Sequence, residues 1–250
     1  MTELTCDEFL GGRVRLWQPR EGYRAGVDPV LLAAACPAQP GDRVLELGCG
    51  AGAASLCLAA RVADLTLTAV ELQPFYADLA HKNAEQNTTS LTVHTADLTT
   101  LPADLRQVQF DHVIMNPPYY DRAASTSARD QGRDIALGGD TPLDAWITTA
   151  AKRLAPRGWL TMIQRIDRLP ESLTATANCL GSLSVLPITS REGREPGLFL
   201  LKARKGGRAA FRLAPALVMH QGHEHGKDEI NYTETVSAIL RSAAPISAAF

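Results

Sequence analysis

The chain has 250 residues, 45% of them hydrophobic and 21% charged, with a net charge of −2. That is enough apolar material for one large core, and the mixture carries no disorder signature. The longest apolar runs, 30–36 and 53–60, fall far short of the roughly 20 residues a bilayer-spanning helix needs, and Glu3, Asp7 and Glu8 replace the basic start of a secretory signal, so the expectation is a cytoplasmic protein.

Alternation of short apolar strands with helices begins at Arg43. Residues 43–47 read as a buried strand and 53–61 as a helix. Residues 65–71 form a second strand, favoured by Thr66, Thr68 and Val70. Residues 74–86 form a second helix, with Pro74 in the first turn where it is tolerated. Third and fourth strands span 91–95 and 110–115, the latter stopped by Asn116-Pro117-Pro118. A helix over 144–154 is followed by Pro156-Arg157-Gly158, a strand over 159–163 and a helix over 169–179. Residues 183–188 and 198–203 close the pattern as an antiparallel pair around the loop 189–197. Strands alternating with helices of about ten residues predict βαβ units. The expected fold is α/β and Rossmann-like, with a seven-stranded, mostly parallel sheet, a C-terminal antiparallel hairpin and helices on both faces. Ligands of such sheets bind beyond the carboxyl ends of the strands. Glu46, Glu71, Asp97 and Asn116 all stand at or just after predicted strand ends, so the four converge on one rim.

Glu46-Leu47-Gly48-Cys49-Gly50-Ala51-Gly52 closes the first strand. Its alternating glycines leave bare backbone for a ligand to lie against. The spacing Gly-x-Gly-x-Gly differs from the dinucleotide fingerprint Gly-x-Gly-x-x-Gly. Glu71 is placed to accept from two ribose hydroxyls, and Asp97 from an adenine amino group. Leu72 and Leu98 follow the two acids into the same rim. Three acids favour a cationic ligand over a pyrophosphate by the sign of the charge alone. The combination resembles the class I methyltransferases, and that resemblance implies S-adenosylmethionine as the cofactor.

Asn116-Pro117-Pro118-Tyr119 follows the fourth strand. Two prolines stiffen the loop and remove two donors, which leaves the Pro117 carbonyl free to accept. The Asn116 side-chain oxygen is a second acceptor and Tyr119 a flat face. Two fixed acceptors beside a ring suit a planar amino group on a conjugated system: they draw the nitrogen towards tetrahedral geometry and localise its lone pair. The motif resembles that of amino-methyltransferases acting on adenine N6, cytosine N4, guanine N2 or glutamine N5.

The likeness reaches further. Phe9-Leu10-Gly11-Gly12-Arg13-Val14, Gln18-Pro19, the block from Gly22 through Tyr23, Arg24 and Asp28 to Leu32, the doubled Tyr119-Tyr120 and Asn231-Tyr232-Thr233-Glu234 resemble the tRNA1(Val) adenine-37 N6-methyltransferase family over nearly the whole chain. The resemblance implies transfer to adenine N6 in tRNA, with Tyr119 stacking on an unpaired, extruded adenine of the anticodon loop. It also implies that residues 1–40 cover the cofactor pocket, so that Tyr23, Arg24 and Asp28 line it. Asp28-Pro29 equally suits the cap and first turn of a helix. Residues 41–205 are then the methyltransferase domain and 206–250 an extension packed on it.

Charge is divided unevenly. Residues 1–140 hold 11 Lys+Arg and 18 Asp+Glu, a balance of −7; residues 141–250 hold 14 and 9, a balance of +5. The basic stretch with Arg191, Arg194, Lys205 and Arg208 suits a polyanion, as do Arg122, Arg129 and Arg133 in the loop 120–137, although a solvated surface accounts for both. Five cysteines without CxxC spacing read as free thiols. His220, His223 and His225 lie in a Gly-containing loop with no cysteine partner, so no metal is expected. A glutamine N5-methyltransferase and an RNA-binding protein on the same scaffold remain the alternatives. The first normally needs a helical substrate domain, for which the 40 or so residues before Arg43 leave little room.

Overall fold

The computed structural model describes residues 2–119, 141–222, 231–246 and 250. The chain opens with an antiparallel hairpin, β1 (Leu4–Phe9) and β2 (Val14–Pro19), that stands apart from the main sheet. Helix α1 (Asp28–Ala35) follows, and then the alternation begins: β3 (Arg43–Leu47), α2 (Ala53–Arg61), β4 (Thr66–Glu71), α3 (Pro74–Gln86), β5 (Leu91–Thr95) and β6 (Phe110–Met115). Helix α4 (Leu143–Arg153) leads into β7 (Leu154–Arg165), α5 (Leu169–Ala177), β8 (Gly181–Thr189) and β9 (Pro196–Arg204). Two-residue strands β10 (Arg212–Leu213) and β11 (Leu217–Val218) precede the last helix, α6 (Glu234–Ser242).

Strand order across the main sheet is β10-β8-β9-β7-β6-β3-β4-β5, with β11 also paired to β8. Only β9 runs against its neighbours β7 and β8. The seven expected strands are therefore present, and the two short ones extend the edge. The chain starts in the middle at β3, builds outwards through β4 and β5, then returns to the other side of β3 with β6. That reversal opens a crevice beyond the carboxyl ends of β3 and β6.

Side chains alternate across the sheet as strand geometry requires. Val44 and Ile114 join an apolar cluster with β2, α1, α2, α3 and α6, while Leu45 and Val113 join a second one with α4. Fully buried Leu31, Leu56, Phe110 and Phe199 anchor these layers, each contributing roughly 1.5–3 kcal/mol through apolar burial.

One local expectation is corrected. The strand expected to start at residue 159 starts at Leu154, so Pro156-Arg157-Gly158 lies within twelve-residue β7, at a bulge against β6. Arg157 takes a left-handed φ of 68° there, and a Cβ on Gly158 would stand 2.9 Å from the Asp111 carbonyl oxygen. The N-terminal hairpin was not foreseen, and its attachment explains why. Asn83 in the last turns of α3 and Asn87, its C-cap, point their amides at β2. Asn83 Oδ1 accepts from Trp17 N and its Nδ2 donates to Trp17 O; Asn87 repeats the pair with Arg15 N and O. The 3.6-residue period of the helix meets the two-residue period of the strand, and two side-chain amides stand in for a neighbouring strand.

Candidate active site

The crevice above β3 and β6 opens as a pocket at the carboxyl ends of the strands, where small-molecule sites of such sheets lie. Gly48, Gly50, Glu71, Leu72, Asp97, Leu98 and Asn116 all line it. Asn116 thus shares one cleft with the glycine turn, as convergence of the strand ends demands. Glu46 and Cys49 line a smaller neighbouring cavity under the N-terminal segment. Gly52 lies behind the site as the N-cap of α2, with a left-handed φ of 87° that favours glycine.

Gly48 has φ 68°, and a Cβ there would stand 2.5 Å from the Trp146 ring. Only glycine permits both the left-handed backbone and that contact. The turn is held by acids. Glu71 Oε2 accepts from Gly50 N at 2.9 Å and its Oε1 from Gln73 N at 2.8 Å. Glu46 Oε2 accepts from the amide and hydroxyl of Ser55 at the start of α2. Burial pushes the Glu46 carboxyl up to about 7 and raises Glu71 as well, the direction that desolvation imposes on a carboxylate. Asp97 Oδ1 caps the turn that follows β5 by accepting from Thr99 N and Oγ1.

On the catalytic-loop side, Asn116 Oδ1 is buried without a hydrogen-bond partner among the described residues. The Pro117 carbonyl is not free, as the sequence suggested. Gln164, fully buried at the end of β7, donates to it from Nε2 at 3.2 Å. Gln164 Oε1 accepts from Arg165 N, which fixes the orientation of the amide. One lone pair of the Pro117 oxygen remains. Arg168 donates to the next carbonyl, that of Pro118, while it forks onto Glu171. The two carbonyls of the proline pair are therefore clamped from the end of β7.

The N-terminal cover divides. Tyr23 lines both cavities, its ring 3.4 Å from where a Gly50 Cβ would stand. The Tyr76 hydroxyl brackets the Tyr23 backbone, accepting from its N–H and donating to its carbonyl. Arg24 turns away and binds Asp7, Thr5 and the Pro19 carbonyl, all in the hairpin. Asp28 is the first residue of α1 rather than its cap, and its carboxylate accepts from the Tyr119 hydroxyl at 2.5 Å. Sequence reasoning missed Tyr76, Trp146 and Gln164, which carry no motif and enter only through packing.

The basic residues also separate. Arg191 is buried, donating to the Gln221 and Gly222 carbonyls, so its guanidinium is structural and not offered to a polyanion. Exposed Arg194 lies in the β8–β9 loop, at the end of the sheet that holds the cleft. Lys205 and Arg208 follow β9 at the opposite end, where Lys205 Nζ binds the Leu154 carbonyl. Tyr120, Arg122, Arg129, Arg133, His223 and His225 lie outside the described residues, and His220 stacks on Tyr232. No group of three or more metal-ligating side chains occurs among the described residues.

Residues 27–177 match the family described as methyltransferase small domain. The chain is 35% identical over 160 residues to the tRNA1(Val) (adenine(37)-N6)-methyltransferase of Cronobacter sakazakii, spanning 61% of each chain. It is 30% identical over 232 residues to the protein of the same name from Escherichia coli O157:H7, covering 89% of each. Among solved structures, a predicted O-methyltransferase from Agrobacterium tumefaciens, Atu636, is 27% identical with a TM-score of 0.71, over 88% of this chain and 98% of that one.

Proposed function

The chain belongs to the methyltransferase small domain family and groups with the tRNA1(Val) (adenine(37)-N6)-methyltransferases, and on that footing we propose that it transfers a methyl group from S-adenosylmethionine to the N6 amine of an adenine in tRNA, at position 37 as in its named relatives. The carrying observation is Asn116 Oδ1: a buried acceptor with no partner among the described residues, beside a cleft rimmed by acids. An unsatisfied buried acceptor costs free energy until a ligand supplies the donor.

The residues present fit the cofactor. Glu71, bonded to the backbone on either side, keeps lone pairs for the ribose hydroxyls, and Asp97 lies next along the rim. Leu72, Leu98 and Trp146 supply apolar walls. Glu71 and Asp97, which both line the cavity, give it the sign that suits a cation. When bound, S-adenosylmethionine supplies an electrophilic methyl group on a sulfonium.

The chain's own contribution is to hold and activate the amine. Asn116 Oδ1 accepts one N6–H and the remaining lone pair of the Pro117 oxygen accepts the other, which localises the nitrogen lone pair. Gln164 keeps that carbonyl in place. Tyr119 supplies the face for the base, and exposed Arg194 lies at the right end to meet a phosphate. Residues 1–40 then act as the cofactor cover, 41–205 as the methyltransferase domain and 206–250 as an extension. The cytoplasm, where tRNA resides, is the compartment this reading implies. No helix among the described residues is long and apolar enough to cross a membrane.

The test is transfer of labelled methyl from S-adenosylmethionine to unmodified tRNA by purified protein, with nucleoside analysis. N6-methyladenine at one position supports the reading. Label on a glutamine side chain of a translation factor, with none on RNA, overturns it.

A further inference from the structure

The Tyr119 hydroxyl donates to Asp28 Oδ2 at 2.5 Å. Asp28 opens α1, whose N-cap, Val27, makes no side-chain capping bond. Its carboxylate is turned across to the loop after β6, 91 residues away. Tyr119 is therefore held at both ends. Its backbone follows two prolines whose carbonyls are clamped by Gln164 and Arg168, and its hydroxyl is anchored on Asp28. An aromatic side chain has two torsions: fixing the base and the hydroxyl fixes the axis of the ring, and because a phenol O–H prefers to lie in the plane of its ring, the bond to Asp28 also favours the plane that contains the acceptor. Tyr119 is only half-buried, so part of the ring stays available.

We propose that Asp28 is a positioning residue for the substrate: by anchoring the Tyr119 hydroxyl it sets the plane of the ring against which the target base stacks. The inference rests on the amino-methyltransferase reading of the cleft. Burial and the nearby Asp28 carboxylate both push the Tyr119 hydroxyl far up in pKa, which keeps the proton on the phenol, where the tether needs it. Preorganisation of this kind acts on the bound base, while the cofactor is held by other residues.

Steady-state methyl transfer to tRNA, calorimetric affinity for S-adenosylmethionine and thermal unfolding of the free protein are measured for Tyr119→Phe, Asp28→Ala, Asp28→Asn and the Tyr119→Phe/Asp28→Ala double variant. Loss of a charge-assisted hydrogen bond is expected to lower kcat/KM for RNA about tenfold or more in Tyr119→Phe and in Asp28→Ala. Cofactor affinity should stay within about twofold, and the double variant should be no worse than the weaker single. Asp28→Asn, which keeps an acceptor oxygen, should recover most of the loss. The melting temperatures should show the same non-additivity without any substrate present. Additive losses, a Tyr119→Phe variant as active as the parent, or an Asp28→Ala variant that loses cofactor affinity as much as methyl transfer would overturn the role of Asp28 while the enzyme still methylates RNA. A parent protein that methylates no RNA overturns the enclosing function instead, and the platform with it.

Discussion

Asn116 and Glu46 illustrate two ways a buried polar group can serve a site. Asn116 Oδ1 lacks a partner among the described residues, and the proposed chemistry supplies one in the target amine. Asn116→Ala should lower kcat by two orders of magnitude or more while the cofactor dissociation constant, read by calorimetry, changes little. Glu46 Oε2 is bonded twice by Ser55, yet the carboxyl is pushed up to about 7 by burial. An acid with a raised native pKa binds more protons folded than unfolded, so stability falls as pH rises from about 4.5 to about 7 and then levels off. The melting temperature of the free protein should therefore drop on the order of 5–10 °C between pH 5 and pH 7.5. Glu46→Gln should remove most of that slope; an unchanged slope in the variant would assign it elsewhere. Glu46, Gly48, Glu71, Asp97 and Asn116 were legible in the sequence because each sits on a strand end whose position local alternation fixes. Trp146 and Gln164 were not. One is an apolar residue on an amphipathic helix and the other a polar residue in a strand, and only the packed sheet brings them to the glycine turn and the Pro117 carbonyl.

Among the elements, the hairpin β1–β2 is the part that local reasoning could not place. Its strands alternate poorly, and its partner is a helix rather than a strand. Nothing in the helix 74–86 marks Asn83 as special in the sequence; in the structure it is fully buried and also donates to the Ala51 carbonyl in the glycine turn. The same amide thus joins the hairpin, α3 and the cofactor turn. Asn83→Leu keeps the bulk and removes the three side-chain bonds, and truncating one side of such a network leaves buried backbone groups unpaired, at about 1–3 kcal/mol each. Hydrogen exchange should accelerate across 14–19 and 49–52, with weaker binding of S-adenosylmethionine and exchange in α4 and β7 unaltered. Uniform acceleration over the whole sheet would mean that the hairpin is part of the global fold and not a separately fastened cover.

Across the molecule, sheet topology sorts charges that sequence proximity had grouped. Arg191, Arg194, Lys205 and Arg208 occupy one basic stretch of the chain, but β9 carries the later pair to the far end of the sheet while Arg191 is folded inward. Arg194→Glu should raise KM for tRNA several-fold with kcat nearly unchanged, as expected of a phosphate contact that positions without activating. Arg208→Glu should leave KM within about twofold; if the two substitutions act alike, the RNA wraps the sheet edge and extends beyond the cleft. The mostly parallel sheet and its antiparallel closing pair were readable from the alternation of elements, because parallel neighbours require crossovers of one hand. The two edge strands and the bulged β7 were not, since two-residue pairings and a left-handed Arg157 leave no periodic trace.

The fastening of β2 by side-chain amides has a practical consequence. Neither Asn83 nor Asn87 bears a charge, so those bonds are indifferent to ionic strength, whereas a grip on phosphates weakens steeply as counterions are added back. Concentrated electrolyte should accordingly strip nucleic acid from the purified protein and leave the hairpin fastened to α3.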